Sequence, residues 1–505
     1  MSTHHLQNGS DIRGIAIATD ELSVNLTEEI VEEIGRGIVN WLVQEKDLGE
    51  VLASQKLTIA VGQDSRLSGD RLKAALIKGI VSQGANAIDT GLSTTPAMFK
   101  TTQFPDFNCD AGVMITASHL PYYFNGIKIF SRDGGLEHED IEYILNHRQK
   151  NDLATSGQVS SQELISLYAN DLVEKIRQGT GTKEAKPLSG LKIIVDAGNG
   201  AGGFFAEQVL AELGADTTGS QFLEPDGHFP NHIPNPDNPE AMESIRQAVL
   251  ANGADLGVIF DTDVDRSAVV DKFGNILNRN NLIAVLAQIV LSAEPGSTIV
   301  TNSPTSTHLK DFINQLGGKQ VRYLSGYRNV INKAIDLNKQ GIHTPLAIET
   351  SGHAAFKENY FLDDGAYVIA KILMLIPQLR ANGTEISDLI SELQQPVEAQ
   401  EVRFKINTHE YYAYGETVIA DMEDFVGRTE GFEKDSDNEE GIRVNFFGDF
   451  GQGWFLLRMS LHEPLLVLQV ESDIEGKNRM VFEKLSEFFG QYPELDKSAL
   501  EKVLS

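Results

Sequence analysis

Gly112-Val-Met-Ile-Thr-Ala-Ser-His-Leu-Pro-Tyr-Tyr-Phe-Asn-Gly-Ile-Lys-Ile-Phe130 is the stretch from which the fold is read. The apolar run Val113, Met114 and Ile115 predicts a buried strand, and the small and polar residues that follow, ended by Pro121, predict its stop. A strand ending in this way delivers Ser118 to the rim of an α/β sheet, where ligands usually sit. A serine does chemistry only when something activates it. No G-x-S-x-G elbow surrounds this one, which argues against a hydrolase triad. The activator is expected far along the chain, in Asp261-Thr-Asp-Val-Asp-Arg266.

That second segment places three carboxylates at alternate positions after another apolar strand, Leu256 to Phe260. Alternate side chains of an extended segment point the same way, so Asp261, Asp263 and Asp265 are expected to converge on one hard cation. Carboxylates without His or Cys suit Mg²⁺, which takes oxygen ligands and accepts a phosphate oxygen in its shell. An EF-hand is the rival reading, and it fails: Arg266 stands at the sixth loop position where glycine is required, and Lys272 at the twelfth in place of glutamate. A solvated acidic turn is the bland alternative. A haloacid-type phosphatase with Asp261 as nucleophile is a weaker one.

Composition limits the partners. The chain has 505 residues, enough for three or four domains, and a formal net charge of -30. Such an acidic chain repels nucleic acid and anionic membrane at long range, and no basic patch with interleaved aromatics appears. A small anionic ligand differs, because local arginines and Mg²⁺ act within a few ångströms while distant charge is screened beyond about 8 Å. The single cysteine, Cys109, excludes an internal disulfide framework and fits a reducing compartment. Residues 1–7 are mostly polar and no apolar span approaches membrane length, so a cytoplasmic enzyme, monomeric or dimeric, is expected.

Helical and strand patterns alternate along the chain. Helix is expected over Leu26 to Val43 and Leu72 to Gly84, with a short strand at Leu57 to Val61. After a polar linker, Gln178 to Leu188, a strand from Leu191 to Asp196 meets the glycine-rich turn Gly198-Asn-Gly-Ala-Gly-Gly203. G-x-G-x-x-G is matched only loosely there, so a tight strand-to-helix turn is preferred to a nucleotide site. A third unit repeats the pattern: helix over Leu282 to Leu291, strand at Thr298 to Thr301, helix over Leu309 to Leu316, strand at Ala347 to Glu349, helix over Ala366 to Leu379. Beyond Pro396, strands at Arg443 to Phe447, Trp454 to Met459 and Leu465 to Val470 and a helix at Met480 to Phe489 suggest an α+β ending. The acidic run Asp435 to Glu440 reads as a solvated loop.

Taken together these segments resemble the α-D-phosphohexomutase superfamily of phosphoglucomutases and phosphomannomutases. The likeness arrives in the family's order: Ser10-Asp-Ile-Arg13-Gly14; Val61-Gly-Gln-Asp64-Ser-Arg66-Leu-Ser68-Gly69; the serine loop; Pro225-Asp-Gly-His-Phe-Pro230 and Pro234-Asn-Pro236; the aspartate loop; Glu349-Thr-Ser351-Gly-His353; and Arg458-Met-Ser460-Leu-His462-Glu-Pro464. The resemblance implies an α/β fold with three related domains of mixed sheets, at 1–165, 166–279 and 280–394. A C-terminal α+β lid at 395–505 would complete a central cleft. It implies one Mg²⁺ per chain held by Asp261, Asp263, Asp265 and a phosphorylated Ser118. Arg266 would grip the same phosphate, Lys128 would be the general base or acid, and Arg13 and His119 would be further catalytic residues, His119 orienting by hydrogen bond or transferring a proton. Glu349, Ser351, His353, Gly326 and Tyr327 would read the sugar, and Arg458, Ser460 and His462 would hold the non-reacting phosphate.

The family pattern breaks at four places: Leu120 where Asn is common, Thr262 where Gly is usual, His462 where Thr is usual, and no arginine shortly after Glu463-Pro464. Such changes resemble a divergent branch whose members make glucose 1,6-bisphosphate, with a sugar bisphosphate such as fructose 1,6-bisphosphate recharging Ser118. In a mutase the bisphosphate flips and returns a phosphoryl group; in a synthase it leaves. Both share the first half-reaction, and a weakened phosphate grip tilts the expectation slightly toward the synthase. A non-catalytic sugar-phosphate-binding paralogue is the third reading, disfavoured because every phosphoryl-transfer residue is retained.

Overall fold

A computed structural model describes residues 3–151, 155–461 and 463–505. The chain divides into two compact units, Met1–Ile289 with Ser351–Leu389, and Val290–Thr350 with Ile390–Ser505. Among the described residues no helix is long and apolar enough to cross a membrane.

In the first unit the expected strand forms at Ala111–Ile115, buried along its whole length. Continuous burial is what an apolar run without alternation requires. It lies at the centre of a mixed sheet, parallel to Thr58–Gln63 on one side and antiparallel to Phe124–Ser131 on the other. Asp11–Ile15 extends the sheet beyond Phe124–Ser131, and Asn86–Leu92 extends it beyond Thr58–Gln63. The register sets Met114 opposite Lys128 and Arg13 opposite Gly126, so the two cations lie on adjoining strands near the serine loop. Helix Glu28–Gln44 starts where Thr27 Oγ1 caps the Ile30 amide and acidic Glu28 and Glu29 favour the positive helix end. With Gly69–Ser82 and His138–Asn146 it closes an aliphatic core against the sheet.

A second sheet in this unit runs Ile276–Leu277, Ser267–Asp271, Leu256–Phe260, Ile193–Asp196. Leu256–Phe260 and Ser267–Asp271 are antiparallel, with Phe260 opposite Ser267, so Asp261–Arg266 is the tip of a hairpin. This corrects the expectation of an extended aspartate segment. Val264 takes φ 67°, its amide donates to Asp261 O at 3.3 Å, and the Asp261 amide donates to Arg266 O. The carboxylates converge because the loop curls, not because strand side chains alternate. The glycine turn is the tight turn expected, and one glycine there is obligatory: a Cβ on Gly200 would stand 2.6 Å from Thr262 O, against which this turn packs. The helix expected over Ala366 to Leu379 is instead two, Gly365–Leu373 and Ile376–Asn382, because Pro377 cannot continue the first but suits the first turn of the second.

The second unit holds a parallel sheet ordered Lys319–Tyr323, Thr298–Asn302, Leu346–Ile348, with helices Thr307–Gln315 and Tyr327–Lys339. Its C-terminal part is an antiparallel sheet, Glu398–Lys405, Leu465–Ser472, Gly453–Met459, Ile442–Phe446, Phe432–Lys434. Helices Tyr411–Gly427 and Lys477–Phe489 pack aromatic and aliphatic side chains onto it. The acidic run is not simply solvated. Asp435 lies 3.4 Å from buried Arg443 and 3.5 Å from Arg322, and Glu440 is buried among serine hydroxyls. Asp435 thus offsets the charge of two arginines that burial would otherwise leave costly.

Candidate active site

Ser118 stands just past the strand Ala111–Ile115 in a left-handed backbone conformation, φ 50°. Such a conformation costs a non-glycine residue about 1–3 kcal/mol and is kept where the surroundings impose it. Its amide donates to Thr116 Oγ1 at 2.9 Å and its hydroxyl donates to Asp261 Oδ2 at 3.0 Å. Arg266 Nη2 donates to the same hydroxyl oxygen at 2.7 Å. The serine and the acidic triplet, 143 residues apart, therefore meet.

Asp261, Asp263 and Asp265 each offer a carboxylate oxygen within 4.8 Å of the other two, and all three are buried. Asp263 Oδ1 and Asp265 Oδ1 are buried oxygens with no hydrogen-bond partner. Burial, with the neighbouring Asp265 charge, holds the Asp261 carboxyl well above the ordinary carboxylate range. A divalent cation would satisfy both orphaned oxygens and relieve that repulsion, and an all-oxygen set suits Mg²⁺. The residues present fit the ion.

Two cations, Arg266 and Lys128, contact the triplet, and a third, Arg13, braces the serine loop. Arg266 spreads a planar fork, Nε to Asp261 Oδ2 at 3.1 Å, Nη1 to Asn235 Oδ1 at 3.2 Å, and Nη2 to Ser118 Oγ and to His119 Nδ1 at 2.7 Å. Lys128 Nζ donates to Asp263 Oδ2 at 3.0 Å and also to Asp265 Oδ2. Burial opposes its charge, but the two aspartates prevail and hold it well above the usual lysine value. Arg13 Nη1 donates to Ala117 O at 2.7 Å and Nη2 to Asp11 Oδ2, bracing the serine loop rather than touching the serine. His119 accepts from Arg266, so its Nδ1 carries no proton. Burial and then Arg266 and Arg13 push its pKa well down, and the ring is neutral at pH 7.

His353 also belongs to this unit. Its Nδ1 bonds Asp363, whose other oxygen accepts from the Ala354 amide at 3.0 Å. Burial disfavours the imidazolium, yet Asp363 and Asp265 outweigh it and hold the pKa up at about 9. Ser351 Oγ is buried without a hydrogen-bond partner.

The remaining predicted residues lie in the second unit. Glu349 Oε1 accepts from the Gly326 amide at 2.7 Å, and Gly326, at φ 112°, precedes the helix that begins with Tyr327. Arg458 is at the end of Gly453–Met459, its Nε buried without a hydrogen-bond partner and 4.0 Å from Glu440 Oε2. That carboxylate oxygen also accepts from Ser325 Oγ at 2.7 Å and from Ser303 Oγ. Ser460 is held by its amide on Leu465 O at 2.9 Å. His462 lies outside the described residues.

Three sequence profiles match in succession, each described as phosphoglucomutase/phosphomannomutase: alpha/beta/alpha domain I over residues 4–154, domain II over 167–274 and domain III over 278–397. The chain belongs to the phosphoglucomutase/phosphomannomutase family. It is thus an enzyme of the α-D-phosphohexomutase superfamily, with three α/β domains and a further C-terminal domain. A phosphomannomutase/phosphoglucomutase of Pseudomonas putida is 32% identical over 469 residues, 92% of this chain and 91% of that protein. A phosphoglucomutase of Neisseria gonorrhoeae is 31% identical over 483 residues, 94% of each. The crystal structure of a phosphoglucomutase/phosphomannomutase family protein from Burkholderia thailandensis superposes with TM-score 0.77 at 26% identity, covering 98% of this chain and 99% of that one.

Within this phosphohexomutase several residues of the site escaped the sequence reading. Thr95 donates its hydroxyl to Asp263 Oδ2 and its amide to Asp263 O at 2.9 Å, fixing one face of the aspartate loop. Asn235 takes one arm of Arg266, and Asp363 holds His353. Asn235 was within a quoted motif, but a hydrogen-bonding asparagine carries no local mark of its distant partner.

Proposed function

We propose that this enzyme moves a phosphoryl group between Ser118 and a hexose phosphate, and that it runs as a glucose-1,6-bisphosphate synthase with fructose 1,6-bisphosphate as donor. The convergence of Ser118 Oγ, Asp261 and Arg266 within hydrogen-bonding distance carries the first part. In charging, the bond from phosphorus to a bisphosphate oxygen breaks, the bond to Ser118 Oγ forms, and the serine proton ends on the departing sugar oxygen. In discharge the acceptor hydroxyl gains the phosphoryl group, and Ser118 Oγ regains a proton. Mg²⁺, bound by the three aspartates and a phosphate oxygen, would neutralise charge on the transferring group. Arg266, already on Ser118 Oγ, grips the phosphoryl oxygens with its fork. Lys128, held charged, is the acid–base candidate. Neutral His119 orients rather than titrates. Glu349, Ser351 and His353 take sugar hydroxyls, the orphaned Ser351 Oγ being a ready partner. Gly326 and Tyr327 shape the sugar loop, and Arg458, Ser460 and His462 hold the other phosphate.

Release of the bisphosphate, rather than its return, is favoured by the surroundings of Arg458. Glu440 stands 4.0 Å from it, and the residues after Pro464 are buried leucines and valine where an arginine is often found. A mutase interconverting hexose 1- and 6-phosphates is the second reading, favoured by the names of the relatives. Product analysis with glucose 1-phosphate, with and without fructose 1,6-bisphosphate, decides between them. Accumulating glucose 1,6-bisphosphate is the expected result; glucose 6-phosphate without bisphosphate build-up establishes the mutase. A Ser118→Ala variant that still turns over would refute both.

A further inference from the structure

Two motifs, Val61–Gly69 and Pro225–Pro230, do no chemistry in the site described above, yet the first reaches the serine loop through Arg66 and the second packs against Arg66. Arg66 is fully buried and its guanidinium is wrapped by main-chain carbonyls of that loop. Nη1 donates to Pro121 O and Phe124 O, each at 2.9 Å, while Nη2 donates to Leu120 O and to Ser118 O. The Asp64 carboxylate lies 3.5 Å from Nε, accepts from the Arg66 amide at 2.9 Å, and accepts from Thr116 Oγ1 at 2.6 Å. Thr116 Oγ1 in turn receives the Ser118 amide. The loop is thus gripped at the serine's amide, through Thr116 and Asp64, and at its carbonyl, by Arg66 itself. Phe229 closes the arrangement with its ring 5.3 Å from the guanidinium carbon.

We infer that Arg66, with Asp64 and Thr116, is the positioning device that imposes the strained conformation in which Ser118 presents its hydroxyl to Asp261 and Arg266. Four carbonyls directed at one planar group can be met only by a guanidinium. An ammonium has three donors in a tetrahedral arrangement and cannot reproduce the fork. Without it the loop keeps its sequence and loses its shape, and Ser118 relaxes from φ 50° toward an unstrained backbone. The inference rests on the proposed role of Ser118 as phosphoryl carrier.

The test compares Arg66→Lys and Thr116→Val with the full-length enzyme, reading three quantities: the single-turnover rate at which fructose 1,6-bisphosphate adds phosphate to Ser118, by intact mass; KM for glucose 1-phosphate; and amide hydrogen exchange over residues 116–124. A reacting atom misplaced by about 1 Å can cost on the order of 10²-fold. The expected loss in phosphorylation rate is of that order for Arg66→Lys and about tenfold for Thr116→Val, with KM changed less than about threefold. Exchange is expected to quicken in this loop while the sheet core stays protected. Folded variants with wild-type rates and unchanged loop exchange overturn the inference; if Arg66→Lys does not fold, the isosteric Thr116→Val decides alone. A wild-type enzyme that takes no phosphate on Ser118 counts against the proposed function, and loop exchange still judges the positioning device.

Discussion

Arg266 joins four residues of the site, touching Asp261, Ser118, His119 and Asn235 with one planar group. Arg266→Lys keeps the charge and loses the fork, so kcat is expected to fall about 10²–10³-fold, in line with the loss of a preorganised donor. Steady-state kinetics on a variant of unchanged circular dichroism checks this. Asp265→Asn should abolish Mn²⁺ binding by the triplet, read by the paramagnetic spectrum of the free ion, while leaving the fold intact. At this scale the sequence was informative wherever the chemistry is contiguous. Ser118 at a strand end and three aspartates within five residues announce themselves. Thr95 does not, because nothing local marks a threonine whose partner lies 168 residues away. Lys128 was legible as a site residue by resemblance, but only the structure shows it as a charge pinned between two aspartates.

Among the elements, the hairpin tip Asp261–Arg266 depends on its neighbours for its shape. Gly200→Ala would drive a Cβ into Thr262 O, and such overpacking costs about 1–3 kcal/mol. A lowered melting temperature together with weaker Mn²⁺ binding is the expected outcome; a change in stability alone would show that the turn does not shape the loop. The loop bearing Asn235 is anchored by His232, whose Nε2 sits 3.0 Å from both oxygens of buried Asp196. Burial lowers the His232 pKa, but the Asp196 hydrogen bond and charge outweigh it and raise it overall. A raised folded-state pKa stabilises fully below the unfolded value of about 6.5 and is lost as pH climbs through the folded one. The stability gap between wild type and His232→Gln should therefore be largest near pH 6 and shrink on the alkaline side, which melting curves across pH would show. Periodicity located these strands and helices. It missed the break before Pro377, the ion pairs of half-buried Asp435 and the burial of Glu440, because a charged run is read as solvated unless its distant partners are known.

For the molecule as a whole, the net charge of -30 opposes an anionic substrate before any local contact forms. Raising ionic strength from 0.01 M to 0.15 M shortens the screening length from about 30 Å to about 8 Å. At fixed free Mg²⁺, kcat/KM for the bisphosphate is expected to rise with salt over this range. A fall would mean that the local cations dominate the approach.

The sequence alone determined that this is a phosphohexomutase and that its domains are α/β with an α+β ending, and it singled out Ser118 and three aspartates as the reacting centre proposed above. These follow from local order: apolar runs, stops and motif succession are properties of contiguous residues. Only the tertiary structure decided how the aspartates converge, that His119 is neutral while His353 is charged, and that a buried arginine shapes the serine loop. The neutral His119 and the buried arginine depend on groups brought together across more than fifty residues of chain, the curled aspartate loop and charged His353 on burial with nearer partners, and neither field nor solvent exclusion exists until the chain has folded.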